Sequence, residues 1–223
     1  EKAERSMLIK ACRLALDHAS FSSAEVDLFL SGDLLNQIIT STFSAVSLGI
    51  PFIGLYGACS TAAMGLGLGA LILDGGFAGS VLTATSSHNS AAERQYRYPT
   101  EYGGQRRTYQ QWTVTGAGAA LLSYTGEGPR VTGVTFGKVL DMGCTDPLNM
   151  GAAMAPAAAE TIAQHFQDTG WDPNSFDLIV TGDLGTVGLN LCRQELAERG
   201  LNLSNNFNDC GIMIYDLKKQ DVH

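Results

Sequence analysis

An internal repeat constrains this chain more than any other feature. Residues 26–35 read Val-Asp-Leu-Phe-Leu-Ser-Gly-Asp-Leu-Leu and residues 176–185 read Phe-Asp-Leu-Ile-Val-Thr-Gly-Asp-Leu-Gly, which places Asp27 and Asp177, Gly32 and Gly182, and Asp33 and Asp183 each 150 positions apart. The preceding segments correspond as well. Leu8, Cys12, Ala15, Leu16 and Ala19 form a helical stripe within residues 3–19, and residues 156–168 give a matching helix with Ile162 and Phe166 inward. A short polar turn with one aromatic follows each helix, Phe21 in one and Trp171 in the other. Agreement of helix, turn and strand at one offset indicates duplication rather than a chance match of two strands.

In the first unit, the strand leads to a helix (36–48), a second strand (51–56), a turn at Cys59 and a Gly/Ala-rich helix (61–73). A third strand (80–86), a long loop and two extended runs (114–125 and 130–140) complete it. Alternating strands and helices of this kind predict an α/β architecture with right-handed crossovers. The second unit reaches only a helix (186–199) and a strand (210–215) before His223. The chain is therefore expected to be a truncated two-unit protein, with a first unit over 1–140, a loop insertion at about 90–113, and an incomplete second unit over 141–223.

Fourteen Lys and Arg against 22 Asp and Glu give a net charge of -8, which argues against a general nucleic-acid binder because phosphate affinity comes mainly from clustered basic residues. The five cysteines are widely spaced, odd in number and never in a C-x-x-C pair, a pattern of reduced thiols without a zinc site. The N-terminus lacks the basic-then-apolar pattern of a signal peptide. Residues 34–73 contain no charge, but Pro51 and the Gly57–Ser60 turn divide the run. The helix that follows is nearer a buried core helix than a membrane span of roughly 20 residues.

Cys59 lies at a strand-to-helix turn between Gly57, Ala58 and Ser60, where small residues permit a tight turn and a helix N-terminus stabilises a thiolate or a bound carboxylate. Gly65, Gly67 and Gly69, with Ala62, Ala63 and Ala70, predict close packing of that helix on a partner helix. Cys12, Cys144 and Cys192 read as small hydrophobes. His88 and Asn89, after Thr85-Ser86-Ser87, stand at a strand end where α/β sheets present ligand groups, and His88 suits a base, a ligand donor or a cap. The 92–112 loop holds Arg94, Arg97, Arg106 and Arg107 with Tyr96, Tyr98, Tyr102, Tyr109 and Trp112. Arginine forks and rings suit a planar anion or a protein interface, with single-stranded RNA the weakest alternative in an acidic chain. Asp33, Asp146 and Asp183 read as capping and turn residues.

The Gly57-Ala58-Cys59-Ser60-Thr61 turn resembles the nucleophile turn of the thiolase and ketoacyl synthase superfamily. Residues 31–37, 84–89, 92–95, 97–105 (Arg-Tyr-Pro-Thr-Glu-Tyr-Gly-Gly-Gln) and 154–159 resemble, more closely, the stage V sporulation protein AD family of endospore-forming bacteria. That resemblance implies a thiolase-like, layered αβαβα fold built from two duplicated units, the second truncated. It also implies non-catalytic binding of dipicolinate (pyridine-2,6-dicarboxylate, alone or with calcium) and help in its uptake into the developing spore.

Such a ligand is a flat aromatic dianion, which suits Cys59, Ser60, His88, Asn89, Arg94, Arg97 and Tyr98 as candidate contacts. The alternative is an acyl-transferring condensing enzyme with Cys59 as nucleophile. The resemblance further implies a homodimer that works with membrane proteins of the same operon, cytoplasmic or peripheral at the forespore inner membrane. It implies no secretion, cofactor, resident metal or nucleic acid.

Overall fold

The computed structural model describes residues 1–96 and 107–220. The chain divides into two units, Glu1–Arg97 with Thr113–Thr132, and Tyr98–Trp112 with Gly133–His223.

Adjacent strand residues point to opposite faces, and strand β1 (Leu28–Gly32) buries both. Phe29 and Leu30 are each 0% exposed, so the sheet of the first unit must be covered on both sides. The helices that do this are α1 (Lys2–His18) and α2 (Ile39–Leu48) on one face and α3 (Thr61–Asp74) on the other. Phe29 and Leu82 pack with Leu8, Cys12, Leu16, Ala45 and Leu48 on the first face. Leu30 and Val81 pack with Leu55, Leu73 and the α3 side chains Met64, Leu68 and Ile72 on the second.

The sheet order is β2-β1-β3-β4, with β2 (Phe52–Gly54), β1 and β3 (Ser80–Ser87) parallel and β4 (Gly116–Ser123) antiparallel to β3. Phe29 is in register with Phe52 on one side and Leu82 on the other, and Leu82 is opposite Leu121. These strand and helix assignments follow the predicted α/β pattern. The helical stripe of α1 runs Glu4, Leu8, Cys12, Leu16, all buried. Ala19 lies beyond the last helical turn and is exposed.

Two of the α3 glycines, Gly65 and Gly69, face the sheet. A Cβ on Gly65 would overlap Thr83 Oγ1 of β3, and one on Gly69 would meet Leu122 Cδ1 at 2.6 Å. Both bring α3 down onto the sheet. The close helix crossing that glycine permits occurs in the second unit, where a Cβ on Gly188 would meet Gly151 Cα at 2.8 Å.

The second unit carries α4 (Met150–Thr169), β5 (Ile179–Thr181), α5 (Gly185–Glu198), β6 (Phe207–Asp209) and α6 (Cys210–Ile214), with β5 and β6 parallel. Its core joins Ala155, Ala159 and Phe166 of α4 to Leu189, Cys192 and Leu196 of α5. The duplication is visible in detail. The 3-10 turns Ser23–Glu25 and Pro173–Ser175 each carry a capping box, formed by Ser22 with Glu25 and by Asp172 with Ser175, again 150 positions apart.

Two predicted strands are absent from the described residues. Residues 130–140 form no ladder. Gly133 and Gly137 interrupt the run, and a Cβ on Gly137 would overlap Thr161 Oγ1, so residues 133–137 are laid against α4. In the predicted 210–215 strand, Cys210–Ile214 form α6 because Asp209 caps them, its carboxylate accepting from Gly211 N at 3.1 Å. Helix α4 begins at Met150, six residues before the predicted start, because the Asn149 side chain caps Ala152 N at 3.1 Å and Pro156 is accommodated inside the helix. Among the described residues, no helix is long and apolar enough to cross a membrane.

Replacing Gly65 by Val should lower the stability of the folded chain by about 3 kcal/mol in urea titrations, since overfilled sites force backbone shifts. Val46→Ala, at a position 76% exposed, should stay within about 0.5 kcal/mol.

Candidate functional site

Because β1, β2 and β3 run parallel, their C-terminal ends lie on one edge of the sheet, where ligands of open α/β sheets bind. Three loops leave this edge: 33–36 after β1, 55–60 after β2 and 88–96 after β3. With β1 between them, the ends of β2 and β3 are about 10 Å apart, two strand spacings. This edge therefore collects the Cys59 turn and His88 on either side of the Asp33 loop.

The Asp33 loop is built from inside. Asp33 is 1% exposed, and its carboxylate accepts from Leu35 N (2.9 Å), Ser41 N (2.7 Å) and Ser41 Oγ (2.7 Å), tying β1 to the first turn of α2. That is the turn and capping role expected from the sequence. Gly32, beside it, has no room for a Cβ, which would overlap Leu55 O and meet Thr61 Cγ2 at 2.8 Å. The absence of a side chain at Gly32 lets the Cys59 turn and the start of α3 close over the end of β1.

Cys59 is half-buried in a 3-10 turn, Ala58–Ser60, that runs into α3. Ala58 holds a left-handed backbone at φ 47°, a conformation that costs an alanine and is kept by its surroundings. Ser60 Oγ donates to Gly57 O at 2.8 Å, and Thr61 Oγ1 accepts from Gly57 N at 3.2 Å. The hydroxyl of Ser60 is thus committed to locking the turn that presents Cys59.

On the other side, His88 is half-buried just past β3. Its Nδ1 accepts from Ser90 N at 3.3 Å, with Ser90 Oγ 3.0 Å away. An accepting Nδ1 puts the proton of the neutral ring on Nε2, which makes Nε2–H a donor for an anion. Asn89 anchors its turn through its own N–H, which donates to Thr115 Oγ1 at 3.0 Å. The end of β3 is held from below by Ser86 Oγ, which donates to Glu4 Oε1 at 3.0 Å. Glu4 is 0% exposed, and burial is the main cause that raises its carboxyl pKa.

The 88–96 loop is strapped across the Asp33 loop. Glu93 N donates to Leu34 O at 2.9 Å, and Glu93 Oε1 accepts from Asn36 N at 2.6 Å. The strap delivers a residue that sequence reasoning counted in the loop but not in the site. Tyr96 is half-buried, and its hydroxyl pKa is raised first by burial, then by the charge and hydrogen bond of Tyr56, and also by the nearby Cys59. Tyr56 ends the predicted second strand, and only the fold of the 88–96 loop shows that the two tyrosines meet beside Cys59.

Arg94 is exposed in the 3-10 turn Arg94–Tyr96. Arg97 and Tyr98, both named as candidate contacts, lie outside the described residues. Arg107 belongs to the second unit, where its Nη1 donates to Tyr109 Oη (2.8 Å) and Tyr109 Oη donates to Asp146 Oδ2 (2.8 Å). Backbone Leu148 N, then Tyr109, hold the Asp146 carboxyl below its ordinary value. Among the described residues, no group of three or more His, Cys, Asp or Glu is placed to hold a metal ion.

All of residues 1–223 match the sequence profile of stage V sporulation protein AD (SpoVAD). The chain is 47% identical over 220 residues to stage V sporulation protein AD of Bacillus subtilis (strain 168), covering 99% of this chain and 65% of that protein's length. Among solved structures, it is similar to 3-oxoacyl-[acyl-carrier-protein] synthase III from Aquifex aeolicus VF5, with a TM-score of 0.63 and 15% identity, over 92% of this chain and 70% of the other. It is also similar to a variant of Xanthomonas campestris OleA with bound lauric acid and lauroyl-CoA, with a TM-score of 0.64 and 15% identity, over 92% and 68% of the two chains. At such identities the structural likeness shows the fold, which is the thiolase-like α/β fold.

The Asp33 network gives a direct stability test. Asp33→Ala should cost about 3 kcal/mol in urea unfolding, because it strips the buried Ser41 N–H and hydroxyl of their acceptor.

Proposed function

The chain belongs to the stage V sporulation protein AD family, a family of sporulation proteins, and from that premise we propose that it binds dipicolinate at the C-terminal sheet edge of its first unit without transforming it. The chain spans 65% of the length of its Bacillus subtilis relative, so the activity of the whole protein is part of the proposal.

The observation that carries the reading is the grouping of Cys59, at the turn before α3, with His88, whose Nδ1 is already occupied. A carboxylate that reaches this edge is met by the positive end of α3 and by the His88 Nε2–H. A planar pyridine ring requires an apolar or aromatic wall, and Tyr56 and Tyr96 supply one beside Cys59. Arg94, Arg97 and Tyr98 are proposed as further anion contacts from the following loop, and Ser60 and Asn89 as the residues that shape the two turns. The ligand enters free or as its calcium chelate, and uptake into the developing spore proceeds with membrane proteins of the same operon. In this reading the protein is a homodimer, cytoplasmic or peripheral at the forespore inner membrane.

Calorimetric titration of full-length protein with dipicolinate, with and without calcium, should give saturable binding. Cys59→Ala and His88→Gln should each weaken it about tenfold, the loss of one favourable contact. Absence of saturable binding under both conditions overturns the proposal, and unchanged affinity in either variant removes that residue from the site.

A second reading treats Cys59 as the nucleophile of an acyl transfer. The left-handed Ala58 favours it, since strained turns next to a reactive group are a feature of catalytic sites. Mass spectrometry after incubation with short acyl-CoA donors should then show an acyl adduct on Cys59. The dipicolinate reading expects none.

A further inference from the structure

At the end of β5, the counterpart of the Asp33 loop, the second unit places two carboxyl groups together. Asp209 is 0% exposed, and both of its oxygens are loaded. Oδ1 accepts from Gly185 N and Gly211 N, each at 3.1 Å, while Oδ2 accepts from Thr181 Oγ1 (2.8 Å) and Leu184 N (2.7 Å). Four donors thus converge on the one carboxyl group.

Asp183 faces the same spot. A Cβ added to Gly211 would overlap Asp183 Oδ1 and would meet Asp209 Oδ1 at 3.2 Å. Gly211 is the one residue type that admits both oxygens. Asp183 is held there from two sides: its backbone is left-handed at φ 65°, and its carbonyl accepts from the Gln111 side-chain amide. Asp209 therefore takes the donors, and Asp183 has a negative neighbour.

We propose that Asp183 and Asp209 form a proton-operated clasp on the turn between β5 and α5, closed while Asp183 holds a proton and loosened when it ionises. In the closed state Asp183 sits beside the Asp209 carboxylate without charge repulsion, and the Thr181–Gly185 turn, the start of α5 and the start of α6 are drawn together on Asp209. In the loosened state two like charges share a half-buried turn, and the strained Asp183 backbone is the element that yields.

The titratable groups around the turn fit this. Asp209 comes from β6, Cys210 from α6 and Tyr215 from the residue after α6, while Gln111 is neutral and α4 contributes Gly151. Burial, then the Asp209 charge, push the Asp183 carboxyl up to about 6. Burial, then Asp209 and Asp183, push the Cys210 thiol up to about 11, and burial, then Asp183, raise the Tyr215 hydroxyl. Cys210 and Tyr215 thus stay neutral over the range in which the clasp works.

A folded pKa raised above the unfolded value gives stabilisation that is fully present below the unfolded pKa and is lost as pH rises through the folded one. The clasp therefore tightens on acidification and releases toward neutral pH. This inference stands apart from the dipicolinate reading, since it concerns the second unit alone.

The test is a carboxyl-carbon NMR titration of the full chain, with hydrogen exchange of residues 181–185 and 209–211 followed from pH 5 to 7.5. Asp183 should titrate near pH 6, and local opening, corrected for intrinsic exchange rates, should rise about tenfold across that range. Asp183→Asn should flatten the rise. Asp209→Asn should return Asp183 toward the ordinary carboxylate range. An Asp183 midpoint below about 4.5, or a rise that survives Asp183→Asn, overturns the proposal. If the variants fail to fold, the wild-type titration decides alone.

Discussion

The close approach of α3 to the sheet is the constraint from which the arrangement of the first unit follows. Gly65 and Gly69 leave no gap between α3 and the β3–β4 side of the sheet, and Gly32 admits the Leu55 carbonyl and the Thr61 methyl at the end of β1. With the helix seated so low, the chain between β2 and α3 has only the few residues from Leu55 to Ser60 in which to turn. The result is a 3-10 turn with a left-handed Ala58 and with Cys59 at its centre. Side chains at any of the three glycines would lift α3 away from the sheet and take Cys59 with it. The position of the thiol is therefore a property of packing, set by residues that have no chemistry of their own.

The opposite wall of the edge is set by hydrogen bonds. Glu4 holds Ser86 from beneath, Ser90 fixes the His88 ring, and Glu93 straps the loop over Leu34 and Asn36. The chain carries a net charge of -8, and among the described residues of this edge the Asp33 and Glu93 carboxylates are spent on backbone and hydroxyl donors. Beside them lie the start of α3, the His88 ring and the Tyr56–Tyr96 pair.

Much of this was legible in the sequence because it rests on local periodicity. The stripe of α1, the apolar runs of β1 and β3, the Gly-Ala turn before α3 and the 150-residue offset all depend on neighbours along the chain. The failures share another cause. The 130–140 run has strand-like residues but forms no ladder, and residues 133–137 lie against α4; a strand exists only where an edge is there to pair with it. Residues 210–215 look extended until the Asp209 cap is seen. The α3 glycines announced a close approach without saying to what. Tyr96 beside Cys59, Glu4 under Ser86 and Asp183 against Asp209 join residues 37, 82 and 26 positions apart, and nothing in their local sequence marks them as partners.

The central claim is that the ligand sits where the Cys59 and His88 turns face each other. Amide chemical-shift mapping of isotopically labelled full-length protein during a dipicolinate titration tests it most directly. The account predicts that the largest saturable shifts fall on residues 56–61 and 88–96, with the second-unit residues 179–214 little changed. Saturable shifts centred on 179–214, with the two first-unit turns silent, would contradict it.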